Sequence, residues 1–333
     1  MVYALLLLAV SSCDIHEYPD EEDAPTPEPG VEHKLAVKVH HELDMDDYVY
    51  RVDSLYSRSN SFVDYTYDDN VSVRYIFQIF DADKQGECVY QSVYYNDNLS
   101  LEDFTVDLTI PADVAIDDIA YVWSDYVDRD THQPLYYDAV NFRDVTYTAR
   151  YVADTKYRDC FDGWFNLSVP TPQSADATAT LEVDLTRPVG LYTVVATDLD
   201  KFTKEYLHGK SLSDYKVEIR YPSYTPYGLN ILDNDVVQVS TSVKYNSPIL
   251  VVNDNMAVLG YDYTLLNPSQ EAGVQIQLYL ISPDGTEKVL TQPIRVPMRR
   301  NQHTYVIGPF LTSMAQAGLN IDYKYTSDYN IYL

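Results

Sequence analysis

The sequence predicts an all-β protein built as two β-sandwich domains in tandem. Three observations predict it. After Val31, apolar and polar residues alternate with a period of two. Phe104, Val106, Leu108 and Ile110, for example, are interleaved with Thr105, Asp107 and Thr109, the pattern of a strand with one buried and one wet face. The runs are short and separated by turn residues, with almost no long helical pattern, which favours sandwiches. Tyr occurs 33 times against 9 Phe and 2 Trp; its ring packs on a half-buried pleated surface while its hydroxyl stays wet. A chain of 333 residues is too long for one ordinary sandwich and suits two.

The chain opens on an uncharged run from Val2 to Ser12. A bilayer span needs about 20 apolar residues, so this run is too short to cross, yet it is long enough for the apolar part of a signal peptide. It ends in Val10-Ser11-Ser12-Cys13, which looks like a bacterial lipobox: a branched apolar residue, two small residues that enter a peptidase cleft, and a thiol that accepts lipid. Residues 1–12 are therefore expected to be a lipoprotein signal peptide, and Cys13 the lipidation site, palmitate being one of its acyl chains. Stable anchoring takes two or more chains. The basic residues that usually precede such a run are missing, so the natural start can lie upstream of Met1. Residues 13–30 read as an acidic, proline-rich tether. Six of the ten residues from Asp14 to Asp23 are acidic, and Pro19, Pro25, Pro27 and Pro29 follow, a composition that builds no core and stays extended.

The first sandwich is assigned to residues 31–187. Leu35, Val37 and Val39 start it. Met45, Tyr48, Val49 and Val52 stand at helical spacing, so a short helix is expected over 45–57. Val71, Val73, Tyr75, Phe77 and Ile79 make a long alternating strand, followed by Phe104–Ile110 and by Ile119, Tyr121 and Trp123. A helical turn is expected over 155–161. Leu167 to Val169, then Leu181, Val183 and Leu185, close this half. Arg187-Pro188-Val189-Gly190 is the expected boundary, and residues 188–333 form the second sandwich. Its strands begin with Tyr192, Val194 and Ala196, then Val217, Ile219 and Tyr221, then Val237 to Val243, then Val258 to Leu266. The clearest hairpin runs from Val274 to Leu280, turns at Ser282-Pro283-Asp284-Gly285, and returns through Val289, Ile294 and Val296; Pro fixes φ and Gly accepts a positive φ. His303 to Leu311 is the last strand. No internal repeat of 20–50 residues is visible.

A net charge of −28 excludes nucleic acid, whose phosphates would be repelled, and disfavours bare anionic lipid. Asp81-Ala82-Asp83-Lys84-Gln85-Gly86 resembles the first half of an EF-hand loop, but the twelfth position would be Ser92, which supplies no bidentate carboxylate; a hairpin turn is expected. Asp44, Asp46 and Asp47, and Asp233 and Asp235 around Asn234, read as solvated acidic loops. His40 and His41 point to opposite faces of a strand, and no zinc motif is present. Nor is there a nucleophile elbow, a P-loop or a dinucleotide turn. The carboxylates are too numerous for a glycosidase pair to stand out. Cys88 and Cys160 could pair or sit apart as small core residues, and the second is the better reading. Trp123 and Trp164 are expected to be core residues before they are a sugar platform. No catalytic residue, metal ligand or cofactor is assigned, and the chain reads as a non-enzyme.

Several segments, in order, carry a resemblance: Cys13-Asp14-Ile15-His16-Glu17-Tyr18-Pro19, Val122-Trp123-Ser124-Asp125-Tyr126, Asp154 to Phe161, Leu185-Thr186-Arg187-Pro188, Val258-Leu259-Gly260-Tyr261-Asp262-Tyr263, Pro283-Asp284-Gly285, and Ile294 to Thr304. Together they resemble the fimbrillin-type lipoproteins of Gram-negative gut and oral anaerobes, an uncharacterised branch related to fimbrial anchor subunits. The resemblance implies two tandem transthyretin-like sandwiches, a lipid anchor in the outer membrane with the body at the cell surface, and a structural role in fimbriae or adhesion. It also implies that the partners are other fimbrial subunits, met by strand-edge pairing. The early lipid cysteine, and the lack of a clear basic processing site, favour an anchor or accessory subunit over a stalk subunit. The alternative is a surface module that binds a glycan or host ligand through exposed Tyr and Trp. Cys13 is the one functional position that transfers.

Overall fold

The structure is a computed structural model that describes residues 32–51, 70–81, 86–99, 101, 104–111, 114, 118–167, 178–268 and 272–313. The expected signal peptide, Cys13 and the expected tether lie outside the described residues. In chain order the strands are β1 (His33–His41), β2 (Asp46–Arg51), β3 (Val71–Asp81), β4 (Glu87–Asn96), β5 (Phe104–Ile110), β6 (Ile119–Asp128), β7 (Tyr137–Asp138), β8 (Val145–Tyr147), β9 (Phe161–Asn166) and β10 (Ala179–Leu185). The second half adds β11 (Val189–Ala196), helix α1 (Leu199–Tyr206), β12 (Lys216–Arg220), β13 (Thr225–Asn230), β14 (Asp235–Ser240), β15 (Lys244–Pro248) and β16 (Leu250–Val251). It ends with β17 (Ala257–Leu265), β18 (Ala272–Ile281), β19 (Glu287–Val289), β20 (Ile294–Met298) and β21 (Gln302–Gly308). The fold is an all-β sandwich, and none of the described helices is long and apolar enough to cross a membrane.

One strand plan occurs twice. In the first half the sheet β10-β1-β5 faces the sheet β4-β3-β6-β9. In the second half β21-β11-β17 faces β15-β12-β18, with β19 and β20 both on β18. In each case the first strand lies parallel to the last, β1 with β10 and β11 with β21, and antiparallel to a middle strand, β5 or β17. The repeat lives in topology and pairing, which the hydrophobic pattern specifies, and leaves no visible trace in residue identity.

The two halves are not independent. Strand β2, from the first half, adds to the edge of the second half's sheet in parallel with β21, Asp46 opposite Gln302 and Arg51 opposite Ile307. The hairpin β7–β8 joins β13–β14 of the second half in a sheet of order β14-β13-β8-β7. This sheet closes a third core between the halves. It is built of Ile76, Phe80 and Trp123 from the back of one sheet, Leu191, Tyr261, Tyr263 and Leu265 from the back of the other, and Tyr137, Val145, Tyr147, Leu229 and Ile231 between them.

That seam, together with a smaller cluster of Val195, Val258, Tyr305 and Ile307 beside Val49 of β2, explains why β3 from Val71 to Phe80, and all of β11 and β17, are buried on both faces. The alternating pattern is read correctly in β5, where Val106, Leu108 and Ile110 are buried and the residues between them are exposed. In β3, Ile76 and Phe80 occupy the face that alternation assigns to water.

The helix expected over 45–57 is corrected: Asp46–Arg51 is a strand, and residues 52–57 lie outside the described residues. A helix there would satisfy only its own backbone, whereas the extended chain completes the exposed edge of β21. It also sends Tyr50 to one core and Val49 to another. The turn expected over 155–161 is a short 3₁₀ helix, Lys156–Arg158, capped by the Thr155 hydroxyl accepting from the Tyr157 N–H. The Pro283-Asp284-Gly285 hairpin is present, with Gly285 at φ 82° and its N–H donating to Ser282 O at 2.9 Å. Helix α1 gave little sequence signal because it buries only Leu199 and Phe202.

Because the halves share a core, they should unfold together. Leu229→Ala in the seam, at a position with no exposed surface, is expected to lower stability by about 2–5 kcal/mol. Far-UV circular dichroism and the emission of Trp123 should then shift to the same lower midpoint. Two separated transitions would show that the seam does not couple the halves.

Candidate functional site

The polar centre of the molecule lies where the seam meets the core of the second half. The resemblance motifs Asp154–Phe161 and Val258–Tyr263 meet there. Arg158, on the 3₁₀ turn, is 1 % exposed and Asp262, on β17, has no exposed surface. Arg158 Nε lies 3.3 Å from Asp262 Oδ1, an ion pair without the alignment of a hydrogen bond. The rest of the guanidinium is held by backbone: Nη1 donates to Val152 O at 2.7 Å and Nη2 to Tyr263 O at 3.0 Å. Its face stacks on the rings of Tyr147 and Tyr151, at 4.4 and 4.3 Å from their centroids. Asp262 Oδ2 accepts from the Tyr151 hydroxyl at 2.5 Å and from the Tyr221 hydroxyl. Tyr221 then meets Tyr192, which meets Tyr245. Burial lifts the Asp262 carboxyl, opposed by Arg158 and the two phenols. Burial lifts Tyr151, Tyr192, Tyr221 and Tyr245 well above the usual phenol range, so their protons stay in place as donors.

Two further arginines extend this centre. Arg74 grips Asp125 with two bonds, Nε to Oδ1 at 2.8 Å and Nη2 to Oδ2 at 2.6 Å, and donates to Tyr137 O. Arg187 sits where one half passes into the other. Its Nε donates to Asp159, its Nη1 donates to Glu42 O and to Asn301 Oδ1, each at 2.8 Å, and its plane lies over Phe161. Asn301 Nδ2 in turn donates to Asp44 O. Such forked, charge-assisted bonds fix orientation. The arrangement holds elements in register: Asp125 and Asp159 are bonded to arginines and Asp262 Oδ2 to two phenols, while Asp262 Oδ1 faces Arg158 as an ion pair with no hydrogen bond.

A second constellation reaches the surface. Tyr121 on β6 and Trp164 on β9 are cross-strand partners, as are Trp123 and Asp162. Trp123 has no exposed surface, whereas Trp164 is 60 % exposed. With Asp162, Gly163, Ile231, Leu232 and Asn234 the Tyr121–Trp164 pair lines a cleft of about 110 Å3. A Cβ on Gly163 would meet Asp184 O at 2.5 Å, so only glycine lets β9 pass this close to β10. Asp162 is 8 % exposed, and burial pushes its carboxyl up to about 6 against the pull of Arg300. Arg300 donates through Nε to Leu266 O and through Nη1 to Asn234 Oδ1, while its buried Nη2 has no hydrogen-bond partner.

The other residues singled out by sequence fall as follows. Among the described residues no group of three or more His, Cys, Asp or Glu is placed to hold a metal ion. Asp81 and Ser92 stand on the paired strands β3 and β4, with Gly86 N donating to Asp81 O, and residues 82–85 lie outside the described residues. Asn230 Oδ1 accepts from the N–H groups of Leu232 and Asp233, and Asn230 Nδ2 donates to Asp233 Oδ2, an Asx turn that shapes the β13–β14 hairpin. Cys88 and Cys160 are both free. Cys160 is the buried core residue expected, but Cys88 is exposed on β4. The core assignment is right for Trp123 and is corrected for Trp164, whose strand runs past the edge of the seam. Sequence reading missed Arg158 and Asp262 as partners because 104 positions separate them in the chain; the one signal was that both stand in the motif segments.

No curated protein sequence matches the chain. A family model described as "Family of unknown function (DUF6562)" matches residues 29–332. Solved structures similar to the chain include a candidate cell adhesion protein from Bacteroides eggerthii, with 12% identity, 90% of this chain and 93% of that chain covered, and a TM-score of 0.44. The fimbrial anchor protein Mfa2 from Porphyromonas gingivalis has 14% identity, coverage of 79% and 82%, and a TM-score of 0.38. A fimbrial assembly protein from Parabacteroides distasonis has 13% identity, coverage of 83% and 90%, and a TM-score of 0.41.

The buried groups set opposing pH dependences. Burial raises Asp154, Asp159 and Asp162 to about 6. Each therefore contributes stability that is full below the unfolded value, near 3.8, and is lost as pH rises through about 6. Burial lowers His41 to about 4 and His303 to about 3, so their contribution is present above 6.5 and lost as pH falls. Asp154→Asn should therefore lose melting temperature relative to the parent between pH 7 and pH 4.5, and His303→Gln should gain it. Parallel melting curves for all three proteins would refute this.

Proposed function

The chain belongs to the DUF6562 family, and from that premise we propose that it is a lipid-anchored cell-surface protein that serves fimbriae as an anchor or accessory subunit. The observation that carries the proposal is the N-terminal order: a short apolar run, Val10-Ser11-Ser12-Cys13, an acidic proline-spaced tether, then a β body beginning at β1. Export enzymes act on Cys13, and the protein itself does no chemistry. The fimbrial part of the reading is supported by the ordered motifs of the resemblance.

The body has surfaces suited to strand pairing. Strand β14 ends its sheet and exposes Val237 and Val239, at 48 and 57 %. Strand β4 ends another and exposes Val93 and Tyr95. Sheet edges of this kind carry unpaired backbone donors and acceptors that a neighbour's strand can complete.

Changing Cys13→Ala is expected to move the protein from the membrane fraction to the soluble fraction. Retention in the membrane would overturn the lipid anchor. Deleting the gene is expected to change fimbrial length or retention on cells, and unchanged fibres in electron micrographs would overturn the fimbrial role while leaving the anchor intact.

A further inference from the structure

We infer that the cleft bounded by Tyr121, Trp164 and Asn234 binds one residue of a neutral saccharide, stacked on the Trp164 ring. This goes beyond the lipid anchor and the fimbrial role and depends on neither. A Trp in a β-rich core buries its ring, as Trp123 does; Trp164, two strand positions from the buried Asp162, leaves 60 % of its surface in water. It is set beside Tyr121 by cross-strand pairing, so two aromatic side chains stand on a rigid sheet and not on a loop. Such a face matches the C–H side of a pyranose ring and is oriented before a ligand arrives.

The polar groups at the same place complete the chemistry. Asp162 offers a carboxylate, almost wholly buried, that can accept from a sugar hydroxyl. Asn234 lines the cleft, and its side-chain oxygen is held by Arg300 Nη1. With that oxygen engaged, the Asn234 amide NH2 is the donor that the cleft wall presents. Asn234 itself stands in the left-handed region at φ 54°, and the bond from Arg300 fixes where its amide sits. An acceptor, a donor and an aromatic face around an open space are the minimal set for hydroxyl-rich ligands.

Size and charge narrow the class. The space of about 110 Å3 is well above the roughly 10–15 Å3 that admits one water, enough for the substituents on one edge of a single sugar ring. A chain with a net charge of −28 repels anionic sugars, so the ligand is neutral.

The test is a titration of the full chain with maltotriose, cellotriose and chitotriose, with sialyllactose as the anionic comparison. Intrinsic fluorescence reports on Trp164, and calorimetry reports on the variants. At least one neutral trisaccharide is expected to quench or shift the emission with millimolar affinity. Trp164→Ala, on the surface and outside the core, is expected to weaken that binding about tenfold or more with an unchanged melting temperature. Asp162→Asn should weaken it as well. The inference fails if none of the three neutral probes binds, if binding is equal in Trp164→Ala, or if sialyllactose binds better than all of them.

Discussion

The whole arrangement depends on the ion pair between Arg158 and Asp262. Two charges removed from water are costly, and they persist because each is surrounded: the guanidinium by two carbonyls and two aromatic faces, the carboxylate by two phenols. Losing one partner of such a pair leaves the other buried and unpaired, at a cost of about 3–5 kcal/mol. A hydrophobic pair of equal volume could hold the halves together as tightly. What the ion pair adds is geometry. Arg158 reaches Asp262 from a turn that is capped and kept in place by Tyr137 and Thr155, so β17 and the first half meet in one register.

Much of the fold was legible in the sequence, and the misses have one cause. Alternation located β1, β5, β12 and the β18 hairpin because each of those strands has a dry face and a face nearer to solvent. It located β3 and β11 as strands but not their second buried face, because Ile76, Phe80 and Leu191 are covered by partners far along the chain. The helical spacing over Met45–Val52 was real as a pattern and wrong as structure: the free edge of β21 outweighed local preference. Strands β13 and β16, and the short β7 and β8, are too brief or too irregular for periodicity to show, whereas Val237 and Val239 did mark β14.

The candidate sites were legible in a different way. Cys13 rests on a local motif, and local motifs can be read without a fold. The surface cleft could not be read, because Tyr121, Trp164 and Asn234 become neighbours only once β6, β9 and the β13–β14 hairpin are assembled. The motifs of the resemblance point elsewhere. Arg158, Arg187, Asp262 and Asn301 all serve the joint between the halves.

Strand β1 is the first described strand of the chain, and it is the central strand of its sheet, bonded to β10 on one side and β5 on the other. A load applied through the N-terminus pulls along this strand. An edge strand would peel, one hydrogen bond at a time. Strand β1 can leave only by shearing two ladders together, from Val39 back to Leu35 on both sides, so the first element to feel tension is also among the most resistant to it.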